Sequence, residues 1–195
     1  MNDNKEKGGI SNQLVTSVRV VVFTMLVCCG FYTLFVYAVG RALTPHTAEG
    51  SLVTDAQGKV IGSELIAQKF TRPEYFRPRP SASDYNAAGT AGSNLSPTNP
   101  RLRERALEII GLDGATADNP IPADLVTASG GGLDPHITLE AARYQAKRVA
   151  KARGLSDEEV MGIVEKQAAT TGGVLTPEPL VNVLLLNIEL DGMAR

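Results

Sequence analysis

Residues 20–40 read VVVFTMLVCCGFYTLFVYAVG, 21 residues without a charge, bounded by Arg19 and Arg41. As a helix this run is about 31 Å long at roughly 1.5 Å per residue, close to the thickness of a bilayer's hydrocarbon core. Eleven of its residues are Val, Leu or Phe, each contributing roughly −0.3 to −0.6 kcal/mol to insertion at a helix centre. Thr24, Tyr32, Thr33 and Tyr37 do not supply the charged face that an amphipathic helix of a soluble domain needs. The stretch therefore predicts one transmembrane helix, and it divides the chain into a tail (1–13), a membrane helix (14–43, apolar core 20–40) and a domain (44–195). Ala38-Val39-Gly40 has the small-x-small form of a signal-peptidase site. The apolar run exceeds the roughly 7–15 residues of a signal core, however, and its polar lead-in is long, so an uncleaved anchor is expected.

Lys5, Lys7 and Arg19 precede the apolar run, and Arg41 and Lys59 follow it. This bias favours a cytoplasmic N-terminus and a domain on the far side of the membrane. The whole chain has 195 residues, 43% of them hydrophobic, with 19 Lys and Arg against 21 Asp and Glu. That length suits one domain plus one extra element, and the near-neutral balance provides no field for gripping a phosphate backbone, so nucleic acid is not expected as a partner. The two cysteines, Cys28 and Cys29, are adjacent inside the apolar run, which suggests neither a disulfide framework nor a zinc site.

Beyond the helix, the runs 50–55 and 59–62 flank Ala56-Gln57-Gly58 and predict a hairpin. Residues 63–70 read as a helical turn or two. Residues 71–100 hold five prolines, and their aromatic residues Tyr75, Phe76 and Tyr85 favour an ordered loop over a flexible linker. Asn99-Pro100 opens a helix that Gly111 is expected to close, and Thr138 caps another running to about Arg153. Ser156-Asp157-Glu158-Glu159 is a capping box that starts a third helix, over about 157–168. Residues 124–128 and 180–188 read as buried strands. The fold class is α+β: one N-terminal transmembrane helix followed by a single mixed α+β extracytoplasmic domain.

Ser129, Asp134 and His136 are the residue types of nucleophilic catalysis, but residues so close in sequence rarely converge into a triad, and no nucleophile-elbow pattern surrounds the serine. A glycine turn at 130–132 leading to the Thr138 cap is the better reading. The same glycines lack the Lys-Ser/Thr pair of a phosphate loop, and His46 and His136 have no clustered carboxylates or cysteines beside them for a metal. Phe70, Arg72, Tyr75, Phe76, Arg77 and Arg79 form a basic, aromatic cluster better suited to a protein interface than to base stacking.

Taken in order, the segments resemble a family, the C subunit of the Kdp-type potassium-transporting ATPase of bacteria. The resemblance starts with the N-terminal helix and runs through Gln68-Lys69-Phe70, Tyr75-Phe76, Arg79-Pro80-Ser81, Tyr85-Asn86, Gly92-Ser93-Asn94-Leu95 and Thr98-Asn99-Pro100. It continues through Asp124-Leu125-Val126-Thr127-Ala128-Ser129, Gly132-Leu133-Asp134-Pro135-His136-Ile137, Gln145, Arg148-Val149-Ala150-Lys151-Ala152-Arg153 and Val181-Asn182-Val183, covering nearly all of residues 14–191. Ser96, Gly131 and Leu180 depart from the pattern locally.

The resemblance implies an accessory subunit of a high-affinity, ATP-driven potassium uptake complex in the bacterial inner membrane. Its partners there would be a channel-like potassium-binding subunit, a P-type ATPase subunit, a small hydrophobic subunit and membrane lipid. The phosphorylated DKTG motif is absent from this sequence. The expected role is support of assembly and allosteric function, with no cofactor bound directly and ATP entering through the ATPase subunit. Two alternatives stand beside it: a catalytic chaperone raising the ATP affinity of that subunit through a transient ternary complex, and a membrane-anchored periplasmic hydrolase using Ser129 or His136. The expected interface comprises Tyr75, Phe76, Arg79, Ser93 and Asn94. Ser129, Asp134, Gln145, Arg148 and Arg153 are expected to form a structural network, and no residue is assigned to catalysis or metal binding.

Overall fold

The computed structural model describes residues 9–170 and 178–193, and the chain divides into two compact units, 1–51 and 52–195. The start of the expected tail, with Lys5 and Lys7, lies outside the described residues.

In the first unit, α1 (Ile10–Met25), a π-helical turn (Leu26–Phe31) and α2 (Tyr32–Leu43) form one continuous helix of 34 residues, long and apolar enough to cross a membrane. It starts four residues earlier than the expected 14. No residue in it is buried against the rest of the chain. The hydroxyls of Thr16 and Thr24 donate back to the carbonyls of Asn12 and Val20, at 2.8 and 2.9 Å. These two hydroxyls are thus satisfied within the helix. Pro45, its missing N–H costing nothing at a helix start, opens the short α3 (Pro45–Ala48).

The second unit begins with the expected hairpin. β1 (Leu52–Thr54) pairs antiparallel with β2 (Val60–Ser63), and the Asp55 carboxylate accepts from the N–H groups of Gln57 and Lys59 to fold the turn. Residues 63–70 form no helix. After one turn in which Ser63 accepts from Ile66, the Ala67 N–H donates to the Leu133 carbonyl, so the backbone is committed to a distant segment.

Helix α4 (Pro100–Asp113) is capped by the Asn99 side chain, as expected, but runs through Gly111 and stops at Gly114. Gly114 has φ of 66°, the left-handed conformation that closes a helix, whereas Gly111 stays helical. The strand expected over 124–128 is instead a helical turn, α5 (Ala123–Val126). The Thr138 N–H beside it donates to the Asp124 carboxylate at 2.8 Å and not to a backbone carbonyl of this segment.

β3 (His136–Thr138), absent from the sequence expectations, pairs antiparallel with β4 (Leu180–Asn182). Thr138 then caps α6 (Leu139–Arg153), and the capping box of Ser156 and Glu159 opens α7 (Asp157–Gln167), both as expected. The strand expected over 180–188 ends at Asn182. The side-chain oxygen of Asn182 accepts from the N–H groups of Leu184 and Leu185, which caps α8 (Val183–Met193). An apolar run without polar alternation does not distinguish buried strand from buried helix, and here an asparagine within the run makes the switch.

The core of this mixed α+β unit lies between α6, α7, α8 and the β3–β4 ribbon. Ala141, Ala142, Ala146 and Ala150 of α6 are all buried, small enough to admit the larger Val160, Val164, Leu186 and Leu190 of its neighbours.

Candidate functional site

The strap of residues 68–85 lies over α6 and α8 without regular structure of its own, so its backbone groups must find partners elsewhere. Two buried amides supply them. The Phe76 N–H donates to Asn187 Oδ1 at 2.8 Å while Asn187 Nδ2 donates to the Phe76 carbonyl at 3.0 Å. One residue on, the Arg77 N–H donates to Gln145 Oε1 at 2.9 Å and Gln145 Nε2 donates to the Arg77 carbonyl at 3.0 Å. Each side chain thus replaces one rung of a β-ladder.

Arg148, one turn beyond Gln145, donates to the carbonyls of Pro73 and Tyr75 and to Gln145 Oε1. Arg153 donates to the Glu74 carbonyl and to Asp191. The Tyr75 ring lies between the guanidinium groups of Arg72 and Arg153, 4.8 and 5.2 Å from its centroid.

A second cluster surrounds the glycine turn. Ser129 is buried, and its hydroxyl accepts from the N–H groups of Gly132 and Asp134 at 3.1 and 3.3 Å. A Cβ on Gly92 would stand 2.5 Å from the Gly130 carbonyl oxygen, so glycine is required where these two loops meet. Asp134 accepts from the His136 N–H at 3.0 Å and pairs with Arg79 at 3.5 Å. Burial works to raise the Asp134 carboxyl pKa, but the hydrogen bonds from His136 and the charge of Arg79 hold it below its ordinary value. Tyr85 donates its phenol to the Arg79 carbonyl at 2.9 Å. Burial, aided by the Asp84 charge, pushes its pKa up to about 12 and keeps it a donor.

The structure therefore brings Gln145, Arg148 and Arg153 together on α6 and holds Ser129 and Asp134 in a separate glycine-turn cluster. Of the residues expected at an interface, Phe76 requires correction: it is 0% exposed and belongs to the core. Its neighbour Arg77 is pinned by Gln145, and the strap turns the ring inward where composition alone suggested a surface patch. Tyr75, Arg79 and Ser93 are half-buried and Asn94 is exposed, with φ of 48°. Among the described residues no cluster of His, Cys, Asp or Glu is suited to a metal.

Sequence reasoning missed Asn187, Asp113 and Asp191. Asn187 carried one signal, an amide inside an apolar run.

A family model described as K+-transporting ATPase, c chain, KdpC, matches residues 14–192. The chain is 53% identical over 177 residues to the potassium-transporting ATPase KdpC subunit of Parvibaculum lavamentivorans, covering 91% of this chain and 95% of that protein. It is 48% identical over 183 residues to the protein of the same name from Myxococcus xanthus, covering 91% and 86%. With that of Geobacter sulfurreducens the identity is 44% over 183 residues, covering 89% and 94%.

Proposed function

We propose, on the premise that this chain belongs to the KdpC family of K+-transporting ATPase c chains, that it supports assembly and allosteric function of the pump without catalysing a step itself. The chain is an accessory subunit of the Kdp potassium-transporting ATPase complex, a P-type system, and carries one N-terminal apolar helix consistent with membrane association. In this reading the helix spans the inner membrane with its N-terminus in the cytoplasm. The α+β unit lies outside, against a channel-like potassium-binding subunit, with the P-type subunit and a small hydrophobic subunit completing the complex. A domain outside the membrane does not meet cytoplasmic ATP, so nucleotide is bound and hydrolysed by the P-type subunit.

The observation that carries this reading is the use made of the candidate chemical groups. The Ser129 hydroxyl accepts from its own loop, Asp134 is held by His136 and Arg79, and Gln145 and Arg148 bind strap backbone. Their hydrogen bonds are spent on holding shape. In the assembled complex, Ser129→Ala and His136→Ala should therefore lower potassium-stimulated ATP hydrolysis only in proportion to the complex lost. Full assembly with abolished hydrolysis would overturn the reading.

Placement is tested separately. A reporter fused after Arg195 and active only outside the cytoplasm should be active, as the charge bias around the helix favours. A cytoplasmic signal would return the direct nucleotide role to first place.

A further inference from the structure

Where α4 ends, the second unit holds a charge cluster that joins α4 to the strap and α6. Asp113 is nearly buried, with 7% of its side chain exposed, and pairs with Arg77 at 2.9 Å. Arg148 approaches the same carboxylate at 4.0 Å. Two partly buried guanidinium groups thus share one carboxylate, and among the described residues the other partners of Arg148 are carbonyl and amide oxygens. One positive charge is left uncompensated in a setting where burial makes it costly. Burial and the charge of Arg77 both push the Arg148 guanidinium pKa below its ordinary value, against the pull of Asp113.

Asp113 and Gln145 line both of two adjoining recesses, with Arg148 in the wall of the smaller and Arg77 in the wall of the larger. The smaller, about 160 Å³, is lined by Asp113, Asn119, Tyr144, Gln145, Lys147 and Arg148. The Tyr144 hydroxyl is shut off from solvent and has no hydrogen-bond partner among the described residues. The larger, about 430 Å³, also includes Asp113 and Gln145, but its other walls include Phe70, Pro78, Ile109, Leu112 and Leu125. Leu112 stands on its rim with 69% of its surface exposed.

We propose that this double recess is a docking site for an acidic, apolar-flanked segment of another subunit of the complex. A carboxylate enters the smaller recess beside Arg148, and the neighbouring apolar side chain fills the larger recess under α4, whose wall includes Arg77. The charge selects the occupant. A single uncompensated guanidinium matches the one negative charge of Asp or Glu, whereas a phosphate monoester brings about two, and a small inorganic anion leaves the apolar walls unfilled. Lys147, exposed at the mouth of the smaller recess, adds only a screened attraction. The inference rests on the accessory-subunit reading and names the surface through which that role is exercised.

The test uses the full chain co-expressed with the other subunits and purified through a tag on this chain, with Leu112 as the probe position because its exposure leaves folding undisturbed. Leu112→Glu places a competing carboxylate at the rim and should weaken retention of the partner subunits about tenfold. Leu112→Gln should weaken it by no more than about threefold, and the difference should shrink as salt rises. A photo-crosslinking residue at position 112 should link to a partner segment with Asp or Glu within about four residues. Equal retention of the Glu and Gln variants, crosslinks to lipid or to a second copy of this chain, or protection of the crosslink by ATP each overturn the docking site. Failure of the wild-type chain to retain any partner subunit overturns the accessory-subunit reading as well, which separates the two outcomes.

Discussion

Phe76→Ala is expected to destabilise the α+β unit by about 3–5 kcal/mol, the upper range for removing a buried aromatic ring. The ring is fully buried in the cluster formed by α6, α7 and α8. Cavity cost depends on how far the surroundings can collapse, and here the backbone on both sides of the ring is fixed. Phe76 is held by Asn187 and Arg77 by Gln145, while Arg148 and Arg153 hold the carbonyls of residues 73–75. The strap cannot sink into the space the ring leaves. Chemical denaturation of the detergent-solubilised chain measures the effect, and Phe76→Leu, which leaves a smaller cavity, should cost less than half as much. A loss below about 1 kcal/mol for the alanine variant would place the ring outside the core, where the sequence reading had put it.

That contrast marks where the sequence was legible. The membrane helix could be read because 21 uncharged residues admit few alternatives, and α6 and α7 because their caps, Thr138 with Gly154 and Ser156 with Glu159, are local signals. The misread segments are those whose hydrogen-bond partners periodicity does not show. Residues 63–70 lose their helix to Leu133, and residues 124–128 lose their strand to a helical turn in which the Thr127 N–H donates to Ala123 while the Asp124 side chain takes the Thr138 N–H. Residues 180–188 change from strand to helix at Asn182, whose cap sequence periodicity does not reveal. The site divides the same way. Family resemblance selected Gln145, Arg148 and Arg153 without revealing that their partners are strap backbone groups. Asp113 had no local signal at all, since its role comes from Arg77, 36 residues away.

Asn187→Leu, which nearly preserves side-chain volume, should cost about 2–6 kcal/mol, because it leaves both the N–H and the carbonyl of Phe76 buried without a partner at about 1–3 kcal/mol each. Asn187 is 1% exposed, so water cannot replace the lost bonds without opening the core. The penalty differs in kind from that of Phe76→Ala: polar groups are stranded while apolar contact is kept. Because the residues meet, the double variant should lose less than the sum of the two single losses. Amide exchange then locates the damage. In Asn187→Leu the Phe76 N–H should exchange at least about tenfold faster than in the parent chain, while the Arg77 N–H, still bonded to Gln145 at 2.9 Å, should keep most of its protection. Equal acceleration at both amides would show that the strap opens as one cooperative segment. A variant of unchanged stability with a protected Phe76 amide would mean that Asn187 does not hold the strap.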